Sequence, residues 1–208
     1  MKRAVSVGAV LAGGRSERMG TSKALVELAG RPLAQRAVAA VGSAGLEPLV
    51  VAKPDTPLPR LDCRVLSEPS EPRHPLTGLL AALRAGAGRG IVTLACDMPF
   101  VPAKLIRWLS DLDEADVAVP LVGGRLEPLL ARYSPAAAKQ LERCLEEGDS
   151  IRDAVACLGP RIVTEEEIAR FGDPRRIFFD VNSPQDLRRA ERLLEGSPTS
   201  RSSPAVTQ

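Results

Sequence analysis

The residues best suited to chemistry crowd into one stretch near the start of the chain, Leu11-Ala12-Gly13-Gly14-Arg15-Ser16-Glu17-Arg18-Met19-Gly20-Thr21-Ser22-Lys23. Gly13 and Gly14 let the backbone approach a ligand closely and turn N–H groups toward an anion. Arg15, Arg18 and Lys23 bring positive charge that can meet a triphosphate, opposed only by Glu17. Arginine contributes forked contacts and lysine a mobile point charge. The stretch is not a Walker A loop, because Thr21 and Ser22 separate Gly20 from Lys23, and it lacks the G-x-G-x-x-G of dinucleotide-binding folds. A solvated surface loop with a glycine turn is the bland alternative, and composition alone divides evenly between the two.

A second group of residues lies far downstream. Asp97 follows the run that reads most clearly as a strand, residues 90–95, and precedes Pro99. A carboxylate there is costly to bury without a partner, and Mg²⁺ is a natural one, since it takes one or two carboxylates plus phosphate oxygens and water. Helix capping or a turn is the competing reading. Asn182 can offer an amide oxygen from the end of another apolar run, or can simply open the turn before Pro184. Asp180 reads as a solvent-facing strand residue or a supporting partner. Gly78, at the opening of a helix, leaves room for a flat base against backbone, or for a close helix–strand contact. His74 reads as a loop residue. Glu68, Glu71 and Arg73 read equally as a solvated loop or part of a second substrate's site, and Arg175 with Arg176 as a small basic pair near a phosphorylated acceptor.

The elements that must hold these residues follow from periodicity. Residues 5–11 are apolar on both faces, as expected of a buried parallel strand, and 49–51, 63–66, 90–95 and 117–119 read the same way. Residues 129–131 read as a return strand after the Gly123-Gly124 turn, and 178–182 as a late strand. Residues 24–28 fit a short strand or a helical turn. Helical spacing runs from Pro32 to the glycines at 42 and 45, then over 79–85, 102–112, 136–145, 151–158 and 184–195, while residues 68–75, with three prolines, read as loop. Strands alternating with helices predict an α/β fold with a mostly parallel, doubly wound sheet. Residues 1–195 read as one domain and 196–208, with almost nothing to bury, as a disordered tail.

Composition narrows the function. The chain has 208 residues, and a domain of this size hides about 70% of its unfolded surface, so an ordinary core suffices. Lys and Arg number 28 against 26 Asp and Glu, a net charge of +2, which does not suggest a nucleic-acid or membrane-surface partner. No apolar run approaches a transmembrane length, and the start, although Met1-Lys2-Arg3 mimics a signal peptide, runs into Gly13-Gly14-Arg15 and not a cleavage site. A cytoplasmic protein is expected. Cys63, Cys96, Cys144 and Cys157 have no C-x-x-C spacing and His74 is the single histidine. Reduced thiols are therefore expected and a zinc site is not. A lone histidine also leaves no choice of base for a Ser–His or Cys–His hydrolase.

The stretch from Leu11 to Lys23 resembles the L-A-G-G-x-S-x-R-M-G-x-x-K signature of nucleotidyltransferases, and its Gly13-Gly14 pair resembles the molybdenum cofactor guanylyltransferases among them. Arg31-Pro32-Leu33, Pro75-Leu76-Thr77-Gly78-Leu79, Cys96-Asp97-Met98-Pro99 and Asn182-Ser183-Pro184 are similar to further islands of that family, over about residues 4–195. The chain departs from it at Ala52, where asparagine is frequent, and at Glu68, where aspartate is.

The resemblance implies a three-layer, Rossmann-like sheet of the nucleotidyltransferase type. It also implies transfer of GMP from GTP to the molybdopterin form of the molybdenum cofactor, assisted by Mg²⁺. Leu11, Ala12, Gly13, Gly14, Arg15, Lys23, Glu68, Gly78 and Asp97 would bind GTP. Asp97 and Asn182 would hold the metal, Asn182 the acceptor, and Arg15, Lys23 and Asp97 would be catalytic. The partners implied are GTP, the pterin cofactor and proteins that hand the cofactor on. An acceptor that is already a phosphate monoester is largely ionised, so positioning and charge neutralisation suffice. The competing readings are a cytidylyltransferase for the same cofactor, a sugar-phosphate nucleotidyltransferase, and a non-catalytic nucleotide-binding partner.

Overall fold

The computed structural model describes residues 6–13 and 19–195. Gly14, Arg15, the first residues of the chain and the tail from 196 onward lie outside the described residues.

The continuous apolar runs become strands of one sheet. In chain order they are β1 (Val7–Leu11), β4 (Glu47–Ala52), β5 (Arg64–Ser67), β6 (Ile91–Ala95), β7 (Val117–Val122), β8 (Arg125–Leu126), β9 (Arg132–Tyr133) and β10 (Arg161–Val163). A separate hairpin is formed by β2 (Glu27–Leu28) and β3 (Arg31–Pro32). The main sheet runs β10-β7-β9-β6-β1-β4-β5, with β8 folded back on β7. It is parallel except around β9, which is antiparallel to both neighbours, and β8. Residues 129–131, expected as the return strand, form a turn instead, and the short pairing segment comes later, at β9. Leu130 and Ala131 are fully buried, and the segment still lies along β6, whose Thr93 and Ala95 N–H groups donate to the Ala131 and Leu129 carbonyls at 2.8 and 3.0 Å, without the regular ladder of a strand.

Helices α1 (Leu33–Ser43) and α3 (Ala103–Ser110) cover one face, where Ala37, Val41, Leu105 and Leu109 meet Val10, Val50 and Leu94. Helices α2 (Pro75–Ala85) and α4 (Ala138–Glu147) cover the other, where Leu76, Leu79 and Leu141 meet Val7, Ala9, Leu49 and Val51. Successive strand residues thus feed opposite cores, as a doubly covered parallel sheet requires. The approach of α1 is close enough that a Cβ on Gly8 would stand 2.2 Å from Val41 Cγ1.

Three short helices follow, α5 (Ile151–Ala156), α6 (Glu165–Ala169) and α7 (Pro174–Ile177), and then the 12-residue α8 (Pro184–Glu195). Periodicity did not register β10, α6 or α7, each shorter than the window that periodicity needs. Residues 178–182 are not a strand: Phe179 and Val181 pack with Val26, Leu28, Leu33 and Ala190 in a third core between the β2–β3 hairpin and α8. One backbone bond, Val181 N–H to the Asp97 carbonyl at 2.9 Å, ties that segment to the end of β6. All four cysteines are free thiols. Among the described residues no helix is long and apolar enough to cross a membrane.

Candidate active site

Because β1, β4, β5 and β6 are mutually parallel, their carboxyl ends share one edge. The register pairs Leu11 with both Val51 and Ala95, and Ala52 with Ser67. The next residues are pinned across the strands: Ala12 N–H to Val51 carbonyl at 2.8 Å, Cys96 N–H to Leu11 carbonyl at 3.1 Å, Glu68 N–H to Ala52 carbonyl at 2.9 Å. Chain connections leave β1 toward β4 on one side, while β6 lies on the other. This is the switch point beside which open α/β sheets bind ligands.

A cavity of about 300 Å³ opens at this edge. Leu11, Ala12, Gly13, Lys23, Glu68, Gly78 and Asp97 all line it, so seven residues singled out from the sequence are brought to one place. Asn182 reaches the same place from the start of α8. Its amide oxygen accepts from Lys23 Nζ, which also lies 2.7 Å from Asp97 Oδ2, and its backbone N–H donates to Asp186 Oδ2 at 3.2 Å. Lys23 itself is aimed by a single turn of 3₁₀ helix, Lys23–Leu25, which resolves the open choice at 24–28 in favour of a helical turn followed by β2.

A carboxylate and an amide oxygen from separate elements therefore converge on one cation, the lysine ammonium. Partial enclosure, then the negative charges of Asp97 and Glu127, push the nearby Asp180 carboxyl up to about 7. Asp180 as a whole is solvent-exposed, so the neighbouring charges are the firmer of these causes. Among the described residues no three Asp, Glu, His or Cys side chains gather closely enough to cage a metal. The hard-oxygen pair of Asp97 and Asn182 fits Mg²⁺, which is usually held by one or two protein oxygens with the rest of its shell from water and substrate phosphate.

The opposite wall holds what sequence reasoning missed. Lys53, the residue after β4, is buried, and its Nζ lies 3.5 Å from Glu68 Oε2 and 3.2 Å from Thr77 Oγ1. Thr77 Oγ1 donates to the same Glu68 oxygen at 2.7 Å. A lysine beyond a strand normally reads as solvated, and only the parallel pairing of Ala52 with Ser67 puts the next residues, Lys53 and Glu68, side by side. Gly78 is not at the helix opening but one turn inside α2, whose first residue is Pro75 and whose N-cap is His74, accepting from Leu76 N–H through Nδ1 at 3.2 Å. The room that Gly78 leaves is occupied by the Glu68 carboxylate, 3.1 Å from where a Cβ would stand. Arg73 pairs with Asp55 and Glu71, at 3.3 Å each, and Arg176 stacks its guanidinium 5.1 Å from the centre of the Phe100 ring.

Comparison with known proteins agrees with this geometry. Residues 8–162 match the family described as MobA-like NTP transferase domain. A probable molybdenum cofactor guanylyltransferase of Pelotomaculum thermopropionicum is 34% identical, the alignment covering 94% of this chain and 97% of that one. A molybdenum cofactor guanylyltransferase of Cereibacter sphaeroides is 36% identical over 90% of this chain and 96% of its own. Among solved structures, molybdopterin-guanine dinucleotide biosynthesis protein A of Archaeoglobus fulgidus superposes with a TM-score of 0.77 at 27% identity, over 90% of this chain and 98% of that one. The 2-C-methyl-D-erythritol 4-phosphate cytidylyltransferase of Thermus thermophilus shares the fold, with a TM-score of 0.68 at 21% identity over 92% and 100% of the two chains. The chain belongs to the MobA-like NTP transferase domain family and is a nucleotidyltransferase.

Proposed function

We propose that this enzyme transfers GMP from GTP to the phosphate of the molybdopterin form of the molybdenum cofactor, releasing pyrophosphate. The names of its relatives give the substrates. The observation that carries the chemistry is the convergence of Asp97 and Asn182 on Lys23 at the mouth of the cavity.

An oxygen of the acceptor phosphate attacks the α-phosphorus of GTP in line. A new P–O bond forms as the bond from that phosphorus to the β-bridging oxygen breaks, and pyrophosphate leaves with the electron pair. The acceptor is already ionised, so no side chain has to remove a proton. What the protein supplies is position and compensation of charge. The backbone of Ala12, Gly13 and Gly14 cradles the triphosphate, with Arg15 and Lys23 neutralising the charge that builds on the leaving group. Asp97 and Asn182 hold Lys23 before substrate binds and are the groups that would hold Mg²⁺ afterwards. Mg²⁺ held by them would supply electrostatic neutralisation of phosphate charge. Asn182 also orients the acceptor. Glu68 offers a carboxylate oxygen to the N–H edge of guanine, and the enclosing walls exclude water.

Pyrophosphate release from GTP is the test. It is expected to depend on added molybdopterin cofactor and to fall by about 10²–10³ in Asp97→Asn, the usual cost of one lost electrostatic contact in such a site. Release with CTP but not GTP would assign the cytidylyl activity, and equal turnover by Asp97→Asn would remove that residue from the mechanism.

A further inference from the structure

We propose that Lys53 is a positioning residue for base selection: its buried ammonium fixes the Glu68 carboxylate so that one oxygen faces the cavity as a hydrogen-bond acceptor. The inference rests on the reading of the cavity as a GTP site.

Lys53 and Glu68 are 6% and 5% exposed, the two charged side chains among the described residues that are this deeply buried. Glu68 Oε2 takes both of its contacts, from Lys53 Nζ at 3.5 Å and Thr77 Oγ1 at 2.7 Å. Oε1 is turned the other way, toward Gly13, where a Cβ would stand only 2.1 Å from it. No described residue donates to Oε1, yet it is not sealed from solvent, since among the described residues no buried polar side-chain atom lacks a partner. The result is a half-satisfied carboxylate in the wall of a nucleotide-sized cavity. Burying such a group is expensive unless a counter-charge accompanies it, and Lys53 is that counter-charge.

An oxygen that only accepts selects a base edge that donates. Guanine presents its ring N–H and amino group there, whereas adenine presents a ring nitrogen lone pair that the carboxylate repels. The remaining contacts of Lys53, to the carbonyls of Pro69 and Pro72, fasten the loop that carries Glu68. A lysine that only fastened the loop would affect stability without affecting the choice of base, and that difference is measurable.

Steady-state pyrophosphate release with GTP and with ATP is measured for wild type, Lys53→Met, Glu68→Gln and the Lys53→Met/Glu68→Gln double variant. Lys53→Met is expected to raise KM for GTP by about 10- to 100-fold, the worth of a charge-assisted hydrogen bond, with kcat changed far less. The GTP-to-ATP ratio of kcat/KM should fall by a similar factor. The double variant leaves no unpaired buried charge, so it is expected to regain part of the Tm lost in Lys53→Met, the contacts to the Pro69 and Pro72 carbonyls still being absent, but not the discrimination. Undiminished preference for GTP in Lys53→Met overturns the proposal. If that variant does not fold, undiminished preference in the double variant overturns it instead. A wild-type enzyme indifferent to GTP and ATP overturns the GTP reading together with this inference, whereas preference retained in both wild type and variants overturns this inference alone.

Discussion

Gly13→Ala probes the packing on which the nucleotide site depends. The φ of Gly13 lies outside the left-handed region, so alanine meets no backbone penalty there and the whole effect must come from contact. The new methyl would sit 2.1 Å from Glu68 Oε1 and 3.3 Å from Glu68 Cδ. A carboxylate at the end of a flexible side chain would ordinarily swing aside. Glu68 is held by Thr77 and Lys53 and is buried, so moving it loosens a paired charge. Overpacking of this kind costs about 1–3 kcal/mol. At about 2–4 °C per kcal/mol for a domain of this length, Tm should fall by about 2–12 °C. Nucleotide affinity should fall as well, because the acceptor oxygen is displaced from the cavity wall. Scanning calorimetry reports the first effect and titration with GTP the second. Shortening the acid in Gly13→Ala/Glu68→Asp should return part of the lost Tm by withdrawing the carboxylate from the methyl. A Gly13→Ala protein with wild-type Tm and wild-type GTP affinity would refute the reasoning, since the clash would then have no consequence.

Two further outcomes follow from named contacts. Lys23→Met removes the cation on which Asp97 and Asn182 converge and should lower kcat by about 10²–10³. Single-turnover pyrophosphate release would check it, and an unchanged rate would leave Lys23 a structural ion pair. Hydrogen bonds from Arg161, and then the backbone N–H of Thr164, hold the Glu167 carboxyl below its usual 4.5. A depressed folded value contributes stability above 4.5 that disappears as pH falls through the lowered one. Glu167→Gln keeps the capping-box geometry but loses the charge, so it should cost about 1 kcal/mol or less at pH 7 for a pair this exposed. The difference from wild type should narrow as pH falls below 4.5, and a Tm gap that does not narrow in acid would contradict the assignment.

Much of this arrangement was legible because the signals were local. The apolar runs at β1 and β6 are buried on both faces, and the polar residues that follow each run had to lie at one sheet edge. That placed Gly13 and Asp97 together before any contact was known. Asn182 was open on its chemistry alone and was singled out through the family resemblance of Asn182-Ser183-Pro184, while the strand drawn under it was wrong. The Phe-Phe-Asp-Val-Asn run has the composition of a strand, yet Phe179 and Val181 are apolar because they close the third core against α8. Residues 129–131 came nearer the mark: the Leu129 and Ala131 carbonyls accept from β6, but the regular pairing begins only at β9. Lys53 was invisible because its meaning is non-local: only the pairing of Ala52 with Ser67 turns a lysine after a strand into the partner of a buried glutamate. Gly78 showed the need for space; the Glu68 carboxylate stands against it, and Gly78 also lines the cavity.

The central claim is that this edge binds GTP with a divalent metal at Asp97. Titration calorimetry with GTP, CTP, UTP and ATP, with and without Mg²⁺, on wild type and Asp97→Ala, tests it most directly. The account predicts Mg²⁺-dependent preference for GTP that is weakened in the variant. Preference for CTP, or GTP binding that ignores both Mg²⁺ and the loss of Asp97, would contradict it.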